Sequence, residues 1–283
     1  MGNDPADSFL DEKNKFRYSP AYTALSVFLG DINENIRERS YKQDPQNFVI
    51  LLLNKIDDKI QNTPLNTGPQ RFANCAVAEV YEFIESVPLD FGEFTKVSED
   101  DRHILHVYLD QSFGSKHRFD YGTGHELFFL SFLYVCNQLG ILSIYDMEEV
   151  FQRYFQVVRN LIYRFNLEPA GSHGPWVIDD YHFMPFLFGS AQLIDTKLTF
   201  TDLFKKENAH LLYSEAVLFC IKHKCRFVKT DFKKHSAALY SIKDIDWKSI
   251  NERIMEMIEE EVMGRDVVTQ HFIYSKYLKA LNK

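Results

Sequence analysis

The sequence predicts an all-α protein that folds as a single compact multi-helix domain. Apolar residues recur at intervals of three and four along almost the whole chain, which is the period of a helix with one buried face. Runs of alternating apolar and polar residues are short, and the chain shows no succession of strands and helices. With 283 residues, 45% of them hydrophobic and 15% aromatic, the chain is long enough to bury one large core.

The N-terminal part starts with a polar segment and continues with two helices whose start signals are visible. We expect residues 1–18 to be poorly ordered and residues 19–283 to form the helical domain. Ser19-Pro20 and Asp44-Pro45 each place a proline directly after an N-cap residue, as at the first turn of a helix. The apolar residues of the first helix that fall on one face are Tyr22, Leu25, Phe28, Leu29, Ile32 and Ile36, and those of the second helix are Phe48, Leu51, Leu52, Ile56 and Ile60.

The remaining helices follow from turn and capping signals of the same kind. A turn from Thr63 to Pro69 opens a third helix, and Ser98-x-x-Asp101 is a capping box in front of a fourth. Residues 124–139 are apolar on all sides and predict a buried central helix, and Asp146 caps a long amphipathic helix after it. The third helix is predicted to bury Phe72, Ala76, Val80, Tyr81 and Ile84, and further helices are predicted near 201–206, 208–224 and 246–263.

Charge and hydropathy exclude two classes of partner. The formal net charge is −8 and no basic stripe is present, which argues against binding to nucleic acid. The most apolar run, from Leu127 to Cys136, is far shorter than the roughly 20 residues that span a membrane. The acidic N-terminus is unlike a signal peptide, and the four cysteines have no disulfide or zinc spacing. We therefore expect a cytoplasmic protein, with the nucleus as a second location.

The first candidate site is a glycine-containing turn, Arg118 to Glu126, that leads into the predicted central helix. Gly122 and Gly124 flank Thr123 and let backbone N–H groups approach an anion at the start of the helix. Arg118 adds a charge suited to phosphate. The alternative interpretation is a tight turn in which Asp120 caps the helix. The residue types leave both interpretations open.

The second candidate site is the aromatic segment EPAGSHGPWVIDDYHFMPFLFGSAQL, residues 168–193. Its glycines and prolines interrupt the helical period, and Asp179, Asp180 and His182 stand among aromatic residues. Long irregular segments in compact domains are often functional, and this composition suits an apolar cleft with a few polar side chains. The alternatives are that the aromatic residues belong to the core and that the aspartates cap a helix beginning near Tyr181.

These two segments resemble the phosphotyrosyl phosphatase activator family. The resemblance is carried by DYGTGHE at 120–126 and by EPAGSHG, DDYHFMPF and GSAQ between 168 and 192. It extends from the RFxNxA motif at 71–76 to Gln270-His271-Phe272, in consistent order, and so covers roughly residues 20–275. The chain departs from the family pattern at Ala78 and Val80, at Pro175 and Val177, and at Ser275.

The resemblance implies an all-α fold with helical subdomains around a central cleft that binds ATP with Mg²⁺. It also implies an activator that docks on the catalytic and scaffold subunits of serine/threonine protein phosphatase type 2A. By similarity, Arg118, Gly122, Thr123 and Gly124 would contact the nucleotide phosphates, and Thr269 and Gln270 would close the site from the C-terminal side. The magnesium ligands are not assigned.

The family also has peptidyl-prolyl cis-trans isomerase activity, so the resemblance implies a site for a proline-containing peptide. It leaves open whether such a peptide induces a homodimer. By similarity, Trp176, Phe183 and Met184 would bind the peptide, and either Asp179 or Asp180 would bond the prolyl nitrogen. Two other functions stay open: a free-standing prolyl isomerase, and a binding module without catalytic activity.

Overall fold

The computed structural model describes residues 16–38, 47–91, 97–171, 178–227 and 236–281, and within them it is almost entirely helical. The two-stranded parallel pair of β1 and β2 is two residues long in each strand. The helices and strands, in order, are α1 (Pro20–Arg37), α2 (Phe48–Asn62), α3 (Val77–Ser86), α4 (Glu99–Asp110), β1 (Asp120–Tyr121), α5 (Thr123–Gln138), α6 (Met147–Phe165), β2 (Glu168–Pro169), α7 (Met184–Leu193), α8 (Leu212–Phe227), α9 (Ala237–Ser241), α10 (Trp247–Ile258) and α11 (Asp266–Thr269). The all-α prediction is confirmed.

Several predicted helix boundaries are confirmed at atomic detail. The Ser19 hydroxyl accepts a hydrogen bond from the backbone N–H of Tyr22 and caps α1. The Ser98–Asp101 capping box starts α4 with both reciprocal bonds in place. The central helix α5 is buried on nearly every side, as its continuous apolar composition predicts. The predicted start of the second helix at Asp44-Pro45 lies outside the described residues, and α2 is capped by Asn47.

The prediction for the third helix was wrong at its start. The helix begins at Val77, so Phe72 precedes it and is 60% exposed. The side chain of Asn74 accepts a hydrogen bond from the N–H of Asn66 and donates one to its carbonyl, which holds a loop over 66–74. Side-chain bonds of this kind compete with helical bonds, and the Gly68-Pro69 pair also disfavours a helix.

Short 3₁₀ and π turns replace α-helix at several points. Residues 200–208 form two 3₁₀ turns, Phe200–Phe204 and Lys206–Asn208, where a short helix was predicted. Asp146 closes a capping box over the 3₁₀ turn Ile144–Asp146 and makes no side-chain cap to α6 itself. The last long helix, α10, continues into a π turn, Glu259–Met263. The helical segment as a whole then ends at Gly264, as predicted.

The core is centred on α5, α6 and α7. The rings of Phe129 in α5 and Tyr154 in α6 stack with centroids 3.6 Å apart. The helices α7 and α8 approach so closely at Gly189 that a Cβ atom there would lie 2.2 Å from the backbone nitrogen of Tyr213. The packing therefore requires glycine at this position.

The two ends of the described chain meet on one side of the domain. Phe16, which is 2% exposed, packs against Phe272 with ring centroids 4.4 Å apart. The N–H of Ala21 donates to the carbonyl of Lys279 at 3.1 Å. Residues 1–15 of the predicted disordered segment lie outside the described residues, and Phe16 belongs to the core.

None of the described helices is both long enough and apolar enough to cross a membrane. The described cysteines whose side chains are placed, Cys75, Cys136 and Cys220, are free thiols. Burial raises the pKa of the Cys136 thiol well above its ordinary value. Cys136 therefore behaves as a small apolar core residue.

Candidate functional site

A two-stranded parallel pair joins the two segments that the sequence singled out. Asp120 pairs with Glu168 and Tyr121 pairs with Pro169. The N–H of Ala170 then donates to the carbonyl of Tyr121 at 2.8 Å. The glycine turn and the start of the aromatic segment, nearly fifty residues apart in sequence, are thus neighbours.

The glycine turn leaves the start of α5 without a side-chain cap. The N-cap residue is Gly122, which has extended backbone and no side chain to offer. Asp120, the alternative cap, instead accepts a hydrogen bond from Nε of Arg118 at 2.7 Å. Phe119 has a left-handed φ of 55°, which turns the chain between these two residues. The positive end of the helix dipole therefore faces the open side of the turn.

A cavity of about 390 Å³ opens at this uncapped helix end. Four of the six residues predicted to bind nucleotide line it: Arg118, Thr123, Gly124 and Gln270. The other lining residues are Gln111, Ser115, His125, Phe128, Ala170, Gly171, Arg265, Val267, Val268 and His271. The cavity lies between the glycine turn, the end of β2 and the C-terminal part of the chain, which brings the two predicted halves of the nucleotide site together.

The remaining two predicted nucleotide residues, Gly122 and Thr269, lie beside the cavity and do not line it. Thr269 is buried, and its hydroxyl donates to the carbonyl of Arg265. A Cβ atom at Gly122 would lie 3.1 Å from Cβ of Ala170, which is a tight contact. Both residues therefore contact residues that line the cavity, Arg265 and Ala170, without lining it themselves.

Two cavity residues with relevant chemistry, Arg265 and His125, were not predicted from the sequence. Arg265 follows the π turn and Gly264, and nothing in its local pattern marks it. His125 is 8% exposed, its Nδ1 donates to the carbonyl of Gln111 at 2.7 Å, and its ring stacks on Tyr121. Burial lowers the pKa of His125, so the ring is neutral at pH 7. Its position directly after Gly124 was the available signal.

The two aspartates of the second segment, Asp179 and Asp180, differ in solvent exposure. Asp179 is 1% exposed, and its carboxylate accepts a hydrogen bond from the N–H of His182 at 3.1 Å. Asp180 is half-buried and faces partly to solvent. Phe183 and Met184, predicted to bind peptide, are fully buried in this structure. Trp176, also predicted to bind peptide, lies outside the described residues.

The start of α7 is capped by a residue from another helix. Glu126, in the first turn of α5, is fully buried. Its two carboxylate oxygens accept hydrogen bonds from the backbone N–H groups of Phe183 at 3.0 Å and Met184 at 3.1 Å. Glu126 stands in the DYGTGHE motif, but no role was predicted for it from the sequence. A buried acid placed next to a glycine turn was a signal that it needed a partner.

Among the residues that the structure describes, no three histidine, cysteine, aspartate or glutamate side chains are grouped as metal ligands. What the cavity does offer is two guanidinium groups, Arg118 and Arg265, and an uncapped helix N-terminus. This chemistry fits a phosphate group. Among the described residues that line the cavity, no carboxylate is present to hold a metal ion.

A family model matches the chain, and it is the model of the family that the two sequence motifs resemble. The sequence model described as "Phosphotyrosyl phosphate activator (PTPA) protein" matches residues 10–280. This chain belongs to that family. The match includes both strands of the parallel pair and every described residue of the cavity wall.

Named relatives share more than a third of the aligned residues. A serine/threonine-protein phosphatase 2A activator of Encephalitozoon cuniculi is 45% identical over 61% of this chain and 64% of its own length. The activators 2 of Schizosaccharomyces pombe and Saccharomyces cerevisiae are 36% and 35% identical, over 51% and 54% of their own lengths. The chain thus spans between half and two thirds of the length of these relatives.

The fold is shared with a solved structure. The crystal structure of the PP2A phosphatase activator Ypa1 (PTPA1) matches with a TM-score of 0.75 and 26% identity, covering 92% of this chain and 88% of that chain. The structural similarity extends over nearly the whole domain. The all-helical fold of this chain is therefore the fold of a solved phosphatase activator.

Proposed function

We propose that this protein is an activator of serine/threonine protein phosphatase type 2A. The observation that carries the proposal is the family match over residues 10–280, since the relatives at 35–45% identity are named as activators of that phosphatase. The partners are the catalytic and scaffold subunits of the phosphatase. Activation assays with the purified phosphatase test the proposal. An unchanged phosphatase rate at saturating protein would refute it.

The cavity at the start of α5 is the proposed site for ATP with Mg²⁺. Arg118 and the first turn of α5, with Thr123 and Gly124, would hold phosphate oxygens. Thr269 and Gln270 would form the C-terminal edge of the site. Because Mg²⁺ in nucleotide sites is usually held by phosphate oxygens and water, the proposal does not require a set of carboxylates on the protein.

Calorimetric titration with ATP and Mg²⁺ tests the nucleotide site. Arg118→Ala removes a charge-assisted contact worth about 1.5–3 kcal/mol, so we expect binding to weaken by roughly tenfold or more. Arg253→Ala is the matched control, because that arginine is exposed, pairs with Glu256 at 2.8 Å on α10 and does not line the cavity. Equal affinities of the wild type and Arg118→Ala would place the phosphates elsewhere.

Prolyl isomerase activity is the proposed second activity. Rotation about the prolyl bond has a barrier of about 18–20 kcal/mol and needs no covalent step. A water-poor groove that holds the twisted amide, with one polar group on the prolyl nitrogen, lowers this barrier. Of the two aspartates we assign the polar group to Asp180, because Asp179 is buried and bonds the backbone of His182. The Asp180 carboxylate accepts and does not donate, so it would act through a water molecule that donates one hydrogen to the carboxylate and the other to the prolyl nitrogen. Trp176, Phe183 and Met184 remain the proposed apolar side of the groove. Because Phe183 and Met184 are fully buried in this structure, the peptide would reach their side chains only after the start of α7 moves.

A protease-coupled assay on a proline-containing peptide, without phosphatase, tests this activity. We expect acceleration by the wild type and a loss of about tenfold or more in Asp180→Ala, within the range for a single catalytic proton donor or acceptor. Asp58→Ala is the control, because Asp58 is an exposed carboxylate on α2. No acceleration by the wild type would leave an activator without isomerase activity. Sedimentation with and without the peptide tests the proposed peptide-induced homodimer.

A further inference from the structure

The carboxylate of Asp120 holds Arg118 at the edge of the cavity. Nε of Arg118 donates to Oδ2 of Asp120 at 2.7 Å, and the Arg118 side chain is 60% exposed whereas the Asp120 side chain is 13% exposed. A guanidinium group that is bonded through Nε still has the N–H groups of its two terminal nitrogens for a second anion. Asp120 therefore sets the direction of the guanidinium group and leaves N–H groups for a phosphate.

Two buried polar atoms near this ion pair have no hydrogen-bond partner among the described residues. The first is Oδ1, the other carboxylate oxygen of Asp120. The second is the hydroxyl group of Tyr81, a residue of α3 that is 2% exposed. Buried polar groups in folded proteins nearly always have a partner, either in the protein or in an ordered water molecule. A buried acceptor and a buried donor without one therefore point to a bound molecule.

Both atoms belong to the loop between α4 and β1 and to the helix beneath it. A Cβ atom at Gly114 would lie 2.6 Å from Oη of Tyr81 and 2.6 Å from the backbone carbonyl oxygen of Asp120. Gly114 has a φ of 121°, and its missing side chain lets the Tyr81 hydroxyl group reach the inside of the loop. One turn further along α3, Glu85 pairs with Lys116 of the same loop. The helix thus supports the loop at two positions on one face.

The backbone of this loop is fixed by its own hydrogen bonds. The N–H of Ser115 donates to the carbonyl of Asp120 at 3.1 Å, and the N–H of Phe119 donates to the carbonyl of Ser115 at 2.7 Å. The hydroxyl group of Ser115 accepts the N–H of Arg118 at 3.3 Å. What remains adjustable is the direction of the Asp120 and Arg118 side chains.

The Tyr81 hydroxyl group keeps its proton at neutral pH. Burial raises the pKa of Tyr81, and the negative charge of Asp120 raises it further. The hydroxyl group is therefore a donor and the Asp120 carboxylate an acceptor, and a water molecule between them can bond to both.

We propose that Tyr81 is a positioning residue for Arg118, and that a buried water molecule accepts a hydrogen bond from Oη of Tyr81 and donates one to Oδ1 of Asp120. With both of its oxygens bonded, the Asp120 carboxylate has one orientation, and Oδ2 presents the guanidinium group to the cavity in one direction. The inference rests on the proposed nucleotide site, in which Arg118 holds phosphate oxygens.

A double-mutant cycle, read by calorimetric titration with ATP and Mg²⁺, tests the positioning role. Tyr81→Phe removes only the hydroxyl group, and we expect the affinity to fall about threefold to tenfold, as for groups in one hydrogen-bond network. In Arg118→Ala, the further change Tyr81→Phe should have no effect, because no guanidinium group is left to position. An unchanged affinity in Tyr81→Phe, or an equal loss in both backgrounds, overturns the proposal.

Tyr213→Phe is the matched control. Tyr213 in α8 is also fully buried, and its hydroxyl group also has no hydrogen-bond partner among the described residues. It packs against Phe186 and Trp247 and does not line the cavity. The affinity for ATP should therefore stay at the wild-type value. A loss as large as that of Tyr81→Phe would show a general effect of a lost buried hydroxyl group and would also overturn the proposal.

A crystal structure of the wild-type protein without nucleotide tests the water molecule and needs no variant. We expect one buried water molecule within about 3.2 Å of both Tyr81 Oη and Asp120 Oδ1. A structure with no water molecule between these atoms overturns the proposal and leaves the nucleotide site standing. A wild type that binds no ATP overturns the nucleotide site and the positioning role together.

Discussion

The residues that line the cavity differ in how far local sequence marks them. Arg118, Thr123 and Gly124 stand in a short motif with its own logic, a positive charge and small residues before a helix. Arg265 enters the same cavity from a part of the chain about 150 residues away, and a single arginine after a glycine carries no such signal. A short sequence motif therefore predicts the charged and small residues at one side of the cavity. It does not predict which distant residues the fold brings to the other side.

Glu126→Ala is the single substitution for which we expect the largest loss of stability at the candidate site. It removes the acceptors of two buried backbone N–H groups. Bonds to a charged group contribute about 1.5–3 kcal/mol each, so the free energy of unfolding should fall by about 3–6 kcal/mol. Urea denaturation measures this change. Glu126→Gln should lose less, because the amide oxygen still accepts one bond.

A fall no larger than the roughly 1 kcal/mol expected for Asn47→Ala, an ordinary helix cap, would contradict the role of Glu126. The comparison is direct because both side chains are buried and both accept two backbone N–H groups at a helix start.

Helices with their own capping residues were predictable because their signals are local. Ser19 and Ser98 each bond a backbone N–H three residues ahead, so the sequence pattern and the structure coincide. The helix α7 could not be placed in this way. Its N-cap residue, Phe183, makes no side-chain cap, and the bonding group comes from another helix. The start of the third helix failed for a different reason, the loop that Asn66 and Asn74 hold.

The close approach of α7 and α8 predicts the effect of Gly189→Ala. The added Cβ would lie 2.2 Å from the nitrogen and 2.7 Å from Cα of Tyr213, and backbone atoms cannot rotate away. Overpacking in a well-filled core costs about 1–3 kcal/mol and more where backbone must move. We therefore expect the free energy of unfolding to fall by about 3 kcal/mol in urea denaturation.

Gly30→Ala is the matched control for this substitution. Gly30 lies inside α1, and an added Cβ there meets nothing within 4 Å. Alanine in a helix interior is more stable than glycine by about 0.5–1 kcal/mol, so this variant should gain stability. If both variants lost stability equally, the helix spacing at Gly189 would not be the cause.

At the scale of the whole molecule, the sequence predicted the helical class, but not the contacts that join the two candidate segments. Helical periodicity needs only near neighbours, and it is repeated in every helix. The pairing of β1 with β2 involves two residues on each side, too few for any strand pattern. The return of the C-terminal segment across α4 depends on contacts more than 160 residues apart, such as Tyr108 Oη with the carbonyl of Ile273 at 2.9 Å.

The C-terminal segment is held on α4 by a carboxylate whose protonation should release it. Asp101 Oδ1 lies 2.6 Å from Nζ of Lys276 and accepts a hydrogen bond from Tyr277 at 2.8 Å. Burial acts to raise the pKa of Asp101, but hydrogen bonds from Lys276, Ser98 and Tyr277 outweigh it and hold the pKa well below its usual range. The folded state therefore prefers the ionised carboxyl.

Because the folded pKa is depressed, Asp101 contributes stability above the unfolded value of about 3.9, and this contribution is lost as the pH falls through the folded pKa. Wild type should exceed Asp101→Asn in melting temperature at pH 7, and the difference should shrink steadily below about pH 4. Thermal melts of both proteins between pH 7 and pH 2 measure it. Glu256→Gln, at an exposed pair on α10, should stay close to wild type at pH 7. A difference between wild type and Asp101→Asn that is constant across this range would show that the charge of Asp101 does not hold the C-terminal segment.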